Sequence, residues 1–175
     1  MDVSALRARW ITLNKETDLL MTTNTPTRLV VVPIVRDENR RILLCKMPPD
    51  RGVFPNKWGL PGGGVEPGEQ MYQALEREVR EELGVSLLEA KPLFFKDGLH
   101  KKTFPDGSQR EIYMVFLLFE CRISSTEAIC LNDEFCEYAW VEPVRLSSYD
   151  LNSATQETFQ FLGLMESSLA ATSDP

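Results

Sequence analysis

The stretch PGGGVEPGEQMYQALEREVREELGV, Pro61 to Val85, sets Gly62, Gly63 and Gly64 ahead of a run in which Tyr72, Leu75, Val79 and Leu83 recur at helical spacing. Gly84 stands where a helix stop belongs, so the pattern predicts a helix over Gln70 to Leu83. On an ideal helix Glu78, Glu81 and Glu82 fall within an arc of about 100° that borders the apolar face rather than opposing it. Like charges so spaced cost roughly 0.2 to 0.5 kcal/mol per pair on an exposed helix, and something must offset them. Arg77 and Arg80, paired with Glu81 and Glu76, would make a solvated ion-paired face. The alternative offset is a hard divalent cation, for which an all-oxygen set selects Mg²⁺ or Mn²⁺. The glycines favour the second reading, because a loop without side chains lets a backbone carbonyl approach a ligand closely.

Outward from this segment the chain reads as mixed α and β. Arg28 to Val35 and Arg41 to Met47 are apolar runs around Asp37-Glu38-Asn39-Arg40, which predicts a hairpin, with Pro33 at an edge or bulge. The Pro- and Gly-rich stretch from Pro48 to Glu69 reads as a long loop, and loops of that length in a compact domain usually carry function. Further strands are predicted at Val85 to Lys96, Arg110 to Cys121 and Tyr138 to Val141, with a turn at Pro105-Asp106-Gly107. A final helix is predicted over Asn152 to Leu169, with Ser153 and Gln156 at capping-box spacing.

At 175 residues, 43% hydrophobic and 26% charged, the chain suits one domain. We place it at residues 26–169, after an extension (1–25) outside the core and before a frayed tail (170–175). A net charge of -7 disfavours a general grip on nucleic acid, and no apolar run reaches the roughly 20 residues of a membrane span. Cys45, Cys121, Cys130 and Cys136 lack metal spacing and read as buried, reduced thiols of a cytoplasmic protein. His100 lies in a basic turn segment and reads as a solvated loop histidine, and Lys101 and Lys102 beside it would help draw in phosphate.

Gly63, Glu69, Arg77, Glu78, Val79, Glu81, Glu82, Gly84 and Val85 match the Nudix box, G-x5-E-x7-R-E-U-x-E-E-x-G-U with U aliphatic, at every position. Seven identities at about 6% each, with two aliphatic positions at about one in three, leave a chance match on the order of 10⁻⁷ or less. The chain therefore resembles the Nudix hydrolases, which split a diphosphate linked to another moiety using Mg²⁺ and water. KMPPDRGVFPNKW, EIYMVFLLFEC, NDEFCEYAWV and YDLNSAT look like the members that hydrolyse nucleoside triphosphates, pyrimidine deoxynucleoside triphosphates above all.

The resemblance implies an α+β Nudix fold, a three-layer α/β/α sandwich around a mixed sheet. It implies that Glu78, Glu81 and Glu82 with the Gly63 carbonyl are the metal set, that Glu81 and Glu82 take part in catalysis, and that Glu69 and Arg77 brace loop against helix. Glu134 is the candidate for base or extra ligand, against a plain surface acid. Arg28, Lys46, Arg51, Phe54, Trp58 and Asn152 are candidates to contact substrate; for Asn152, helix capping is an equal alternative. Tyr113 is a further stacking candidate. The partner expected is a small nucleotide, with no nucleic acid or membrane, and the protein a monomer or homodimer. A nucleotide sugar or dinucleotide is the alternative substrate, and a non-catalytic nucleotide sensor the remaining reading.

Overall fold

The structure, a computed structural model, describes residues 25–50, 52–103 and 109–166. Arg51, the turn at Pro105-Asp106-Gly107, the extension before residue 25 and the tail from residue 167 lie outside the described residues, as do the side chains of Lys101 and Lys102. The described residues fall into two compact units: a larger one of Leu29–Lys96 and the chain from Phe116 on, and a smaller one holding Arg28 and Asp97–Val115.

Strands β1 (Thr27–Val35), β4 (Gly63–Gly64), β5 (Leu87–Thr103) and β6 (Gln109–Ile123) form one sheet in the order β4-β1-β6-β5, and β2 (Ile42–Lys46), β3 (Trp58–Gly59) and β7 (Glu137–Val141) form a second in the order β3-β2-β7. Helix α1 spans Met71–Leu83 and α2 spans Ser153–Phe161, with a 3-10 helix at Pro143–Ser148. The predicted hairpin is present, but β1 and β2 share only the Arg36–Ile42 bridge before joining different sheets. Its turn is closed by Asp37, which accepts from the Arg41 backbone (2.7 Å) and from Arg41 Nε (2.6 Å). Pro33 is not on an edge strand. It lies beyond the pairing of Val30 and Val31 with Gly64 and Gly63, where β4 no longer calls for a donor.

Side-chain alternation along the strands explains the layering. Val31, Val35, Leu43, Cys45, Phe119 and Cys121 share one core with Ala74, Leu75, Val79 and Leu83 of α1. The intervening Ile34, Ile42, Leu44 and Leu118 share another with Phe159 of α2 and Leu146 of the 3-10 helix. Each fully buried Leu, Ile or Phe contributes about 1.5 to 3 kcal/mol, so three strands with opposed apolar faces, β1, β2 and β6, hold one helix on each side. That is the expected three-layer arrangement.

Four expectations are corrected. Tyr72 is half exposed and packs edge-on against Phe119 rather than facing the core; Ala74 takes the buried position. Helix α2 stops at Phe161, because Gly163 adopts a positive φ of 69° and closes the end by donating to Gln160. Its cap is Asn152, whose Oδ1 accepts from the Thr155 backbone at 2.8 Å, and not Ser153. Cys130 and Cys136 are exposed, while Cys45 and Cys121 are buried and all four are free thiols.

Candidate active site

Helix α1 begins where Gln73 Oε1 accepts from the Gln70 backbone at 2.9 Å, and ends at Gly84, whose φ of 68° lets its N–H donate to Arg80. Between these ends the helix buries Glu78 and Glu82 to 8% and 2% exposure, on the side facing the glycine loop. Burial of carboxylates is expensive without partners, and the loop supplies them. Gly62 N–H donates to Glu82 Oε2 at 2.7 Å, and Gly62 has φ 129°, a backbone that favours glycine. At Gly63 a Cβ would overlap the Glu78 carboxylate, 2.6 Å from Oε2. No residue larger than glycine fits there without moving Glu78.

Arg77 ties loop to helix. Its guanidinium donates to both oxygens of Glu69 (2.9 and 3.0 Å), to Glu78 (2.7 Å), to Glu81 (3.2 Å) and to the Gly64 carbonyl (2.9 Å). The Arg77 bond and then the Glu66 N–H hold the Glu69 carboxyl below the usual carboxylate range. The same acids raise Arg77 itself. Glu69 and Arg77 are thus joined by two hydrogen bonds, and the predicted Arg77–Glu81 pair exists beside them.

Burial, with the charges of Glu78, Glu134 and Glu81 adding to it and the Gly62 hydrogen bond opposing it, pushes Glu82 up to about 8. Glu78 is raised by burial as well, with Glu134 and Glu81 adding to the effect and Arg77 opposing it. Glu134, two strands further along the chain, is therefore within electrostatic reach of both buried acids. Its loop is seated on the helix end: Cys130 N–H donates to the Leu83 carbonyl (2.9 Å), Asn132 N–H to the Glu82 carbonyl (3.3 Å), and Phe135 enters the α1 core.

Among the described residues no three acidic, His or Cys side chains are gathered into a closed metal shell, since Glu78 leans on Arg77 and Glu81 is exposed. The donor set nonetheless suits a hard cation. It consists of oxygens alone, two of its carboxylates are buried among like charges, and the neighbouring glycine leaves no Cβ in the way.

The candidate substrate contacts divide. Lys46, Trp58 and Asn152 come together around β3: Lys46 pairs with Trp58 in register and its Nζ lies 5.7 Å from the indole centroid, and Asn152 N–H donates to the Trp58 carbonyl. Tyr149, which sequence reasoning missed, meets Trp58 edge-on at 5.2 Å. Lys46 is also 3.5 Å from Glu137. The buried Asn152 has its oxygen engaged in the α2 cap, so its amide nitrogen is what remains for other contacts; the capping reading holds, and Gly59 gives that nitrogen room. Phe54 is half-buried, with its N–H on Met47 Sδ. Arg28 is exposed and belongs to the smaller unit, as does Tyr113, whose hydroxyl donates to Asp97. Gly62 and Asn132 were also missed; the signal for the first was the glycine run, and for the second the Asn two residues before Glu134, an Asx-turn spacing.

A sequence model of the NUDIX domain matches residues 25–162. The chain is 51% identical over 140 residues to nucleoside triphosphatase NudI of Salmonella agona (strain SL483), covering 79% of this chain and 98% of that one. It is 50% identical over the same length to the protein of that name from Salmonella newport (strain SL254). Among solved structures it is similar to a MutT protein from Methanosarcina mazei Go1 (TM-score 0.63, 23% identity, 82% of this chain and 96% of that chain). It is similar also to the NUDIX domain of Shewanella oneidensis NrtR complexed with ADP ribose (TM-score 0.58, 15% identity, 81% and 88%). At these identities the structural likeness speaks to the fold alone.

Proposed function

The chain belongs to the Nudix hydrolase family, and from that premise we propose that it hydrolyses nucleoside triphosphates to the monophosphate and diphosphate. Pyrimidine deoxynucleoside triphosphates are the favoured class and Mg²⁺ the cofactor, with Mn²⁺ able to substitute. The supporting relative is the nucleoside triphosphatase at 51% identity. The observation that carries the chemistry is the pair of buried carboxylates, Glu78 and Glu82, facing Gly62 and Gly63 and coupled electrostatically to Glu134.

Glu78, Glu81 and Glu82 with the Gly63 carbonyl would hold the ion, which when bound neutralises the charge that builds on the departing diphosphate. Glu134 accepts the proton of the attacking water at its carboxylate as the water oxygen bonds to phosphorus. The bridging P–O bond breaks and the diphosphate leaves with the electron pair. Arg77 keeps Glu78 and Glu81 aligned, and the Gly62 N–H fixes one oxygen of Glu82 so that the other is free for its role. Lys46 supplies positive charge beside Trp58, and the Asn152 amide nitrogen donates to a base edge.

The test is a panel of ribo- and deoxynucleoside triphosphates with Mg²⁺, read by release of monophosphate and diphosphate. Turnover of nucleotide sugars or dinucleotides in place of every triphosphate would overturn the assignment.

A further inference from the structure

The loop that carries Glu134 meets the box helix at its C-terminal end, in the turn where Glu82 also takes the Gly62 N–H. The last carbonyls of a helix lack intrahelical partners, and here the Leu83 and Glu82 carbonyls accept from the backbones of Cys130 and Asn132, at 2.9 and 3.3 Å. Gly84 makes this approach possible: a Cβ on it would stand 2.9 Å from the Cys130 carbonyl oxygen and 3.0 Å from Cys130 Cβ. At its other end the loop is fixed by Phe135, buried beside Leu75, Val79 and Leu83, and by Cys136 N–H on the Lys46 carbonyl at 2.9 Å. Asp133 and Glu134 project between these anchors, both exposed.

One side chain reaches across that gap. Asn132 Oδ1 accepts from the Glu134 backbone N–H at 3.0 Å, closing an Asx turn, while the Asn132 backbone is on Glu82. A single residue thus joins Glu134 to the residue that supplies a buried box carboxylate. We propose that Asn132 is a positioning residue for the reaction: its amide oxygen fixes the Glu134 backbone in register with Glu82, and so sets where the Glu134 carboxylate stands over the acid cluster. The inference rests on the role given to Glu134 in the proposed function. A turn that merely stabilised the loop would be indifferent to what Glu134 does, whereas a positioning turn has no effect once Glu134 is disabled.

Steady-state hydrolysis of a turned-over nucleoside triphosphate with Mg²⁺ is compared in the wild type, Asn132→Leu, Asn132→Asp, Glu134→Gln and the Asn132→Leu/Glu134→Gln double variant. Glu134→Gln should lower kcat by about 10² or more, the scale of a lost proton acceptor. Asn132→Leu, of similar size but without an acceptor, should lower kcat about tenfold, leave KM within about twofold, and unfold at the wild-type temperature. Asn132→Asp, which keeps the acceptor, should stay within about threefold of wild-type kcat, and Asn132→Leu should cost nothing further in the Glu134→Gln background. Wild-type kcat in Asn132→Leu, equal losses in the Leu and Asp variants, or the same loss with and without Glu134 would each overturn the positioning role while leaving Glu134 in place. Wild-type kcat in Glu134→Gln would instead remove Glu134 from the mechanism, and Asn132 with it.

Discussion

At the scale of single residues the site is organised by one cation and one buried acid. Arg77 makes five hydrogen bonds that no other side chain has the geometry to make, since its planar fork spans Glu69 bidentately while reaching Glu78, Glu81 and the Gly64 carbonyl. Arg77→Lys preserves the charge and loses the fork, so the glycine loop should come away from the helix. We expect a lower melting temperature together with a kcat loss of about tenfold or more, the scale of a misplaced reacting group; thermal unfolding and kinetics at saturating Mg²⁺ check both. Glu82 makes the complementary case. Its folded-state pKa of about 8 lies far above the ordinary carboxyl value of 4.5, so in metal-free protein it costs nothing below pH 4.5, lowers stability progressively from there to pH 8 while only the unfolded chain would ionise, and exacts its full cost above pH 8. Glu82→Gln removes that charge and keeps an acceptor for the Gly62 N–H. In chelator the variant should melt higher than wild type at pH 9 and equally at about pH 4, below the unfolded pKa, yet its Mg²⁺-dependent kcat should fall by about 10² or more.

At the scale of elements, function depends on where short segments approach one another. Strand β4 consists of two glycines paired with Val30 and Val31, and the second residue of the glycine run, Gly63, lies directly over the Glu78 carboxylate. Gly63→Ala should therefore displace Glu78 and weaken Mn²⁺ binding, measured by electron paramagnetic resonance, with the circular dichroism spectrum unchanged; wild-type Mn²⁺ affinity would show that the carboxylate is held elsewhere. The distal ends of β5 and β6 belong to the smaller unit, where Tyr113 N–H donates to the Pro26 carbonyl and the Tyr113 hydroxyl to Asp97. The hydrogen bond to Asp97 and the burial of the ring hold the phenol up to about 12. Because the folded state keeps this proton longer than an unfolded chain does, the stability gained from it is complete below pH 10 and lost as pH climbs through 12. An absorbance titration should show one tyrosine ionising late, and Tyr113→Phe should delete that step alone.

At the scale of the whole molecule, the sequence disclosed what depends on local spacing and withheld what depends on distant backbone. Glu78, Glu81 and Glu82 could be placed on one helix face because three or four residues of separation fix their direction, and the apolar runs Arg28 to Val35 and Arg41 to Met47 could be read as the strands of a hairpin, while the layering came only from the family resemblance. The two-residue strands at Trp58–Gly59 and Gly63–Gly64 were illegible inside a Pro- and Gly-rich stretch, because each exists only through pairing with β2 or β1. Gly163 was overlooked as a helix stop, and Asn132 carried no periodicity at all; its meaning lies in the Glu82 carbonyl, fifty residues upstream. The same long-range assembly concentrates like charge in a chain already at -7, so divalent ions should be felt as folding free energy. Ion at about a hundredfold over its dissociation constant adds about 2.7 kcal/mol to the folded state, which for a protein of this size raises the melting temperature by about 5 to 10 °C. Calorimetric scans with Mg²⁺ against chelator should show that rise in the wild type and lose most of it in Glu78→Gln and Glu82→Gln. Equal rises in all three proteins would place the ion on other oxygens and take the box carboxylates out of its shell.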